Sequence, residues 1–117
     1  MKIRIKDNSL RYRLTQSEVE KLWESGFLEA RTEFLSKTFS YAIRTGDGDG
    51  LSSDFTGDEI VLYIPKTMID ELHDTEKVGF ADGRNPVRLL VEKDFACTDN
   101  TEEDQSDNYP NPRETIC

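Results

Sequence analysis

The feature that most constrains the fold of this chain is an echo of one segment by another. Residues 11–25, RYRLTQSEVEKLWES, are answered fifty positions later by residues 61–75, VLYIPKTMIDELHDT. Each copy is an apolar strand end, a helix-start signal and one short helix. Leu14 aligns with Ile64, Ser17 with Thr67, Val19 with Ile69, Glu20 with Asp70 and Leu22 with Leu72. Such a period indicates one supersecondary unit used twice, and two stacked halves related by a pseudo-two-fold axis are its natural outcome.

The flanking patterns complete each unit. Residues 2–6, KIRIK, and 10–14, LRYRL, alternate polar and apolar around the turn residues Asp7, Asn8 and Ser9, which predicts a hairpin. Ile3, Ile5, Leu10, Tyr12 and Leu14 are expected on its buried face. Lys2, Arg4, Lys6, Arg11 and Arg13 are expected on the other. Thr15 and Glu18 have the spacing of a capping box, and Gly26 suits the end of a helix over 16–25. Val19, Leu22 and Trp23 form that helix's apolar stripe.

Strands are expected over 27–34 and 38–44, followed by a flexible loop, TGDGDG, at 45–50. A second hairpin covers 51–55 and 59–64. Pro65 opens a helix over 66–73 with Met68, Ile69 and Leu72 inward. A last strand pair covers 76–80 and 87–92. The order is ββαββ twice. It predicts an α+β fold, mostly antiparallel, with about eight strands partly closed into a barrel and two short helices. Residues 1–97 are expected to form one domain, with 98–117 an acidic C-terminal tail.

Composition sets the size of the core. Hydrophobic residues make up 35% and charged residues 33% of 117, so the core is small and the surface ionic. The net charge is −9, of which −5 falls in residues 98–117, where six acids face Arg113 alone. That field disfavours nucleic acid as a partner. Tyr109, Pro110, Pro112 and Ile116 are the tail's candidate docking groups. No apolar run reaches the length of a membrane span, and the chain reads as cytoplasmic.

Several groups are weighed as sites. The five hairpin cations face only Asp7 within thirteen residues, a local +4 suited to phosphate, RNA or an acidic partner. Alternation alone also produces a solvated charged face. The acidic 99–107 run offers a third reading, lying across those cations. The Gly46–Gly50 loop departs from a calcium loop, with Ser52 where the turn glycine belongs and Asp58 in place of the last glutamate. His73, the only histidine, sits near Glu71 and Asp74 at a helix end, where a cation suits the dipole. Glu92, Asp94 and Cys97 are the remaining ionisable cluster, and their spacing matches no standard metal site. A Cys97–Cys117 bridge would pin the tail. No phosphate loop, nucleophile elbow or zinc-protease motif is present. No cofactor or metal is expected, and catalysis is the less favoured class.

Two resemblances add to this. MKIRIKDNSLRYRLTQSEVEKL, KVGF, LLVEKDFAC and EDQSDNYPNP resemble a family of small uncharacterised bacterial proteins of Bacteroidetes type, over nearly the whole chain. The resemblance implies a cytoplasmic bacterial protein and carries over no site residue. Residues 61–80, with Ile64-Pro65-Lys66 and Lys77-Val78-Gly79-Phe80, are similar to the swapped hairpin of AbrB-type transcription factors and MazE-type antitoxins. That likeness implies a swapped-hairpin barrel and, by analogy alone, a regulator that binds nucleic acid or a toxin. The short helix here lacks the basic pattern of those DNA binders. The sequence thus favours a non-catalytic module that binds a protein through its basic hairpin face or acidic tail. Its alternatives are an antitoxin-like regulator and an enzyme centred on Glu92, Asp94 and Cys97.

Overall fold

A computed structural model of the chain describes residues 1–95 and 107–110. The expectations placed on Cys97, Pro112, Ile116, Cys117 and the tail's other acids lie outside the described residues. The elements run β1 (Lys2–Lys6), β2 (Ser9–Leu14), α1 (Gln16–Ser25), β3 (Phe27–Glu33), β4 (Thr38–Gly46), β5 (Ser52–Thr56), β6 (Glu59–Pro65), α2 (Lys66–Asp74), β7 (Gly79–Asp82) and β8 (Arg88–Lys93). The α+β class, the eight strands and the two helices are those the sequence predicts.

The strands form two four-stranded sheets. A terminal sheet has the order β1-β2-β8-β7, and a middle sheet the order β3-β4-β6-β5. Each is antiparallel except at its centre, where β2 runs parallel to β8 and β4 parallel to β6. Every sheet therefore takes one strand pair from each half of the chain. Exchanging the halves maps β1-β2-β8-β7 onto β5-β6-β4-β3, which is the middle sheet read backwards.

The correspondence holds residue by residue. Lys2↔Arg13, Arg4↔Arg11 and Lys6↔Ser9 in the first hairpin repeat as Ser52↔Tyr63, Asp54↔Val61 and Thr56↔Glu59 in the second, all shifted by fifty. Asp7 takes a left-handed φ of 47° at the first turn and Gly57 one of 55° at the second. Leu10, Tyr12 and Leu14 are buried on β2, as are Ile60, Leu62 and Ile64 on β6. The echo is thus an architectural repeat.

The core lies between the inner faces of the sheets and under the helices. Leu89 and Val91 of β8 and Ile43 of β4 are fully buried, together with Leu22 and Leu72 of the helices to within 2%. Thr15 and Glu18 form the expected capping box, with the Thr15 N–H donating to Glu18 Oε1 at 2.9 Å. Gly26 ends α1 in the left-handed conformation, φ 73°. The second helix has no such cap, and Thr75 leaves it extended.

Two expectations are corrected. The sheets are not closed into a barrel: β1 and β7 edge one, β3 and β5 the other. Charged side chains along those edges, such as Arg4, Asp54 and Arg31, discourage edge pairing and remove the need for closure. Ile5, one residue from the end of β1 at the hairpin turn, does not reach the core and is 62% exposed; its counterpart Phe55, placed likewise in β5, is 63% exposed. Beside the TGDGDG loop, Arg84 Nη1 lies 3.4 Å from Asp49 Oδ1. Arg84 Nη2 grips Asp82 at 2.8 Å, the Leu51 N–H donates to Asp82 Oδ2 at 3.1 Å, and Asn85 Nδ2 donates to the Leu51 carbonyl at 2.8 Å. The Arg84 guanidinium holds the Asp82 carboxyl down to about 2. A side chain at position 50 would collide with both groups of that pair.

Candidate functional site

The hairpin cations share one outer face, as alternation requires. Lys2, Arg4 and Lys6 stand opposite Arg13, Arg11 and Ser9. Parallel pairing with β8 then adds Arg88 beside Ser9, Leu90 beside Arg11 and Glu92 beside Arg13. Arg88 was missed in the sequence because nothing local to residues 80–90 announces that β8 lies against β2. Arg4, Lys6, Ser9 and Arg11 surround a shallow cleft of about 140 Å³ floored by Leu90.

Glu92 is the main counter-charge on this face. Its Oε1 lies 3.1 Å from Arg13 Nε and 3.4 Å from Arg11 Nε, so one carboxylate serves two guanidiniums. Lys2 Nζ reaches Asp94 Oδ2 at 3.1 Å, at the buried rim of the sheet. Arg4, Lys6 and Arg88 have no ion-pair partner among the described residues. Arg4 and Arg11 face each other directly, an arrangement that destabilises an antiparallel pair. Glu92 and Asp94 are therefore spent on cations, and Cys97 lies outside the described residues. Among those described, no three His, Cys, Asp or Glu side chains cluster to hold a metal.

The described tail residues lie elsewhere, at the start of α1. The Gln16 N–H donates to the Asp107 carbonyl at 3.2 Å, and Ser17 Oγ donates to Asp107 Oδ2 at 2.5 Å. Hydrogen bonds from the Ser17 and Thr15 side chains hold the Asp107 carboxyl below its usual range. The Tyr109 N–H donates to the Asp94 carbonyl at 2.9 Å. Its ring lies 5.8 Å from that of Phe95, with Lys93 Nζ 4.9 Å from its centre. Pro110 is exposed beside it. Of the acids imagined across the basic face, Asp107 is the one described, and it meets α1.

Among the described residues, His73 faces two carboxylates and an indole and no nucleophile. Its ring stacks on Trp23 with 4.0 Å between centres and 3° between planes. Positions 23 and 73 are fifty apart, so the stack joins equivalent points of the two halves. Nδ1 lies 2.6 Å from Asp74 Oδ1 and Nε2 lies 2.6 Å from Glu20 Oε2. Burial strips Tyr12, on the inner face of β2, of solvent and raises its phenol well above the ordinary range.

The whole is a basic sheet face on an acidic molecule of α+β fold. The chain belongs to a family of unknown function, DUF7009, whose model matches residues 1–113 and so runs into the tail. No curated protein and no solved structure matches the chain. No helix among the described residues is long and apolar enough to cross a membrane.

Proposed function

We infer that the protein is a cytoplasmic binding module that holds an extended acidic polypeptide against the outer face of the terminal sheet. One observation carries this reading: the chain contains its own control. The same fold positions in the middle sheet hold Ser52, Asp54, Thr56, Glu59, Val61 and Tyr63 where the terminal sheet has Lys2, Arg4, Lys6, Ser9, Arg11 and Arg13. The fold therefore does not require cations there. Concentrating them in a chain of net charge −9, with arginine opposite arginine, costs stability that an anionic partner offsets.

Among the described residues β1 is an edge strand, and the cations that discourage pairing with a basic or neutral strand suit an added strand rich in acids. A partner in that position with an acid at every second residue lays its carboxylates beside Arg4 and Lys6. No aromatic side chain stands among these cations, which argues against stacked bases of single-stranded nucleic acid.

The test is fluorescence anisotropy with a labelled ten-residue peptide alternating Glu and Ser. Affinity should fall with rising salt, and Arg4→Glu with Arg11→Glu should weaken it at least about tenfold, roughly 1.4 kcal/mol. Duplex DNA of equal charge should bind more weakly. Tighter binding of the duplex, with a steeper salt slope, would install the nucleic-acid reading instead. Peptide binding indifferent to both substitutions would remove the basic face from the function.

A further inference from the structure

We propose that the start of α1 and the end of β8 form a peptide-docking site for the chain's own Asp107-Asn108-Tyr109, filled in cis and open to the same segment of a second copy.

The site is composed of three kinds of contact, each of which reads a different part of the segment. The first turn of a helix has unsatisfied N–H groups and a partial positive charge, and so favours a carboxylate. Asp107 supplies it: the Ser17 N–H lies 3.4 Å from Oδ1 while Ser17 Oγ donates to Oδ2 at 2.5 Å. Backbone pairing fixes the direction of the segment, through Gln16 N–H to the Asp107 carbonyl at 3.2 Å and Tyr109 N–H to the Asp94 carbonyl at 2.9 Å. Gln16 Nε2 adds a bond to the Asn108 carbonyl at 3.2 Å. The aromatic ring of Tyr109 then packs on Phe95 and under the Lys93 ammonium, which donates to the Thr75 carbonyl at 3.0 Å. A carboxylate, a backbone address and an aromatic anchor within three residues make a recognisable ligand.

The occupant is argued from the chain itself. Phe95 and Tyr109 form a parallel bridge, so the segment returns to the strand end it left. Eleven residues, 96–106, separate Phe95 from Asp107. A short connection of this kind gives a tethered ligand an effective concentration on the order of millimolar. A copy in trans must outcompete that, so exchange between molecules is suppressed until the cis segment is disabled.

The experiment uses the full chain with Asp107→Ala and Tyr109→Ala together, and a labelled peptide of residues 104–111. The double variant should bind the peptide saturably, and the unaltered protein at least about tenfold more weakly, because its own segment competes. A peptide with Asn at the position of Asp107 should bind the double variant at least about tenfold more weakly than the natural one. If the double variant does not fold by circular dichroism, the single Asp107→Asn chain serves in its place with the same pair of peptides. Equal binding of both peptides, or no binding of either to a folded variant, would overturn the proposal.

Discussion

His73 shows how a residue's role is decided by neighbours that sequence position hides. Carboxylates only accept hydrogen bonds, and both ring nitrogens lie 2.6 Å from one, so both must donate. The two carboxylates thus favour the protonated ring, which is stacked on Trp23, with the Lys66 ammonium 5.3 Å from the indole centre and paired to Asp70. Asp74, ahead of Glu20, holds the imidazole above its ordinary pKa, against an opposing contribution from burial. Stabilisation from such a group is complete below the unfolded value, about 6.5, and is lost as pH rises through the higher folded value. We expect the thermal midpoint to fall as pH is raised above 6.5, and the fall to be reduced in His73→Gln. A pH dependence of the midpoint unchanged by that substitution would contradict the geometry. Asp74 was legible as a neighbour in the sequence. Glu20 and Trp23 were not, because they reach His73 only when α1 meets α2.

At the scale of the element, local signals sufficed. The capping box, the alternation and the turn residues placed α1 at 16–25 and nearly every strand to within two residues, though β7 begins at Gly79 and not at 76. Pairing was another matter. That β8 lies parallel to β2, and β4 to β6, depends on contacts across more than a dozen residues, which no local pattern encodes. The two hairpin turns allow a matched test. Both need a left-handed residue, and one half supplies Asp7, the other Gly57. A β-branched residue pays about 1–2 kcal/mol for that conformation, whereas Asp tolerates it. Gly57→Val should therefore lower stability by about 1 kcal/mol or more in urea unfolding, and Asp7→Gly should change it by less than about half that. Equal losses at both turns would mean that the halves do not share a backbone.

On the scale of the whole molecule, the two halves share a backbone and differ in their surfaces. The terminal sheet is basic and the middle sheet is not, although their registers match pair for pair. A surface kept for stability and a surface kept for binding respond to charge reversal with different signs. Arg4→Glu places a carboxylate directly opposite Arg11, replacing repulsion with attraction across the strand pair. Cross-strand charge pairs contribute roughly 0.2–1 kcal/mol, so the variant should unfold at a slightly higher urea concentration than the unaltered chain, with the gain shrinking in high salt. The same substitution should weaken the acidic peptide. Its counterpart, Asp54→Arg, sits opposite the buried Val61 in the other sheet and should leave peptide affinity unchanged. Gain of stability with loss of binding, confined to one of two equivalent sheets, is the trade expected of a functional face. If Arg4→Glu instead destabilised the chain and left the peptide bound as before, the cations would be serving the fold, and the basic face would have no partner to explain.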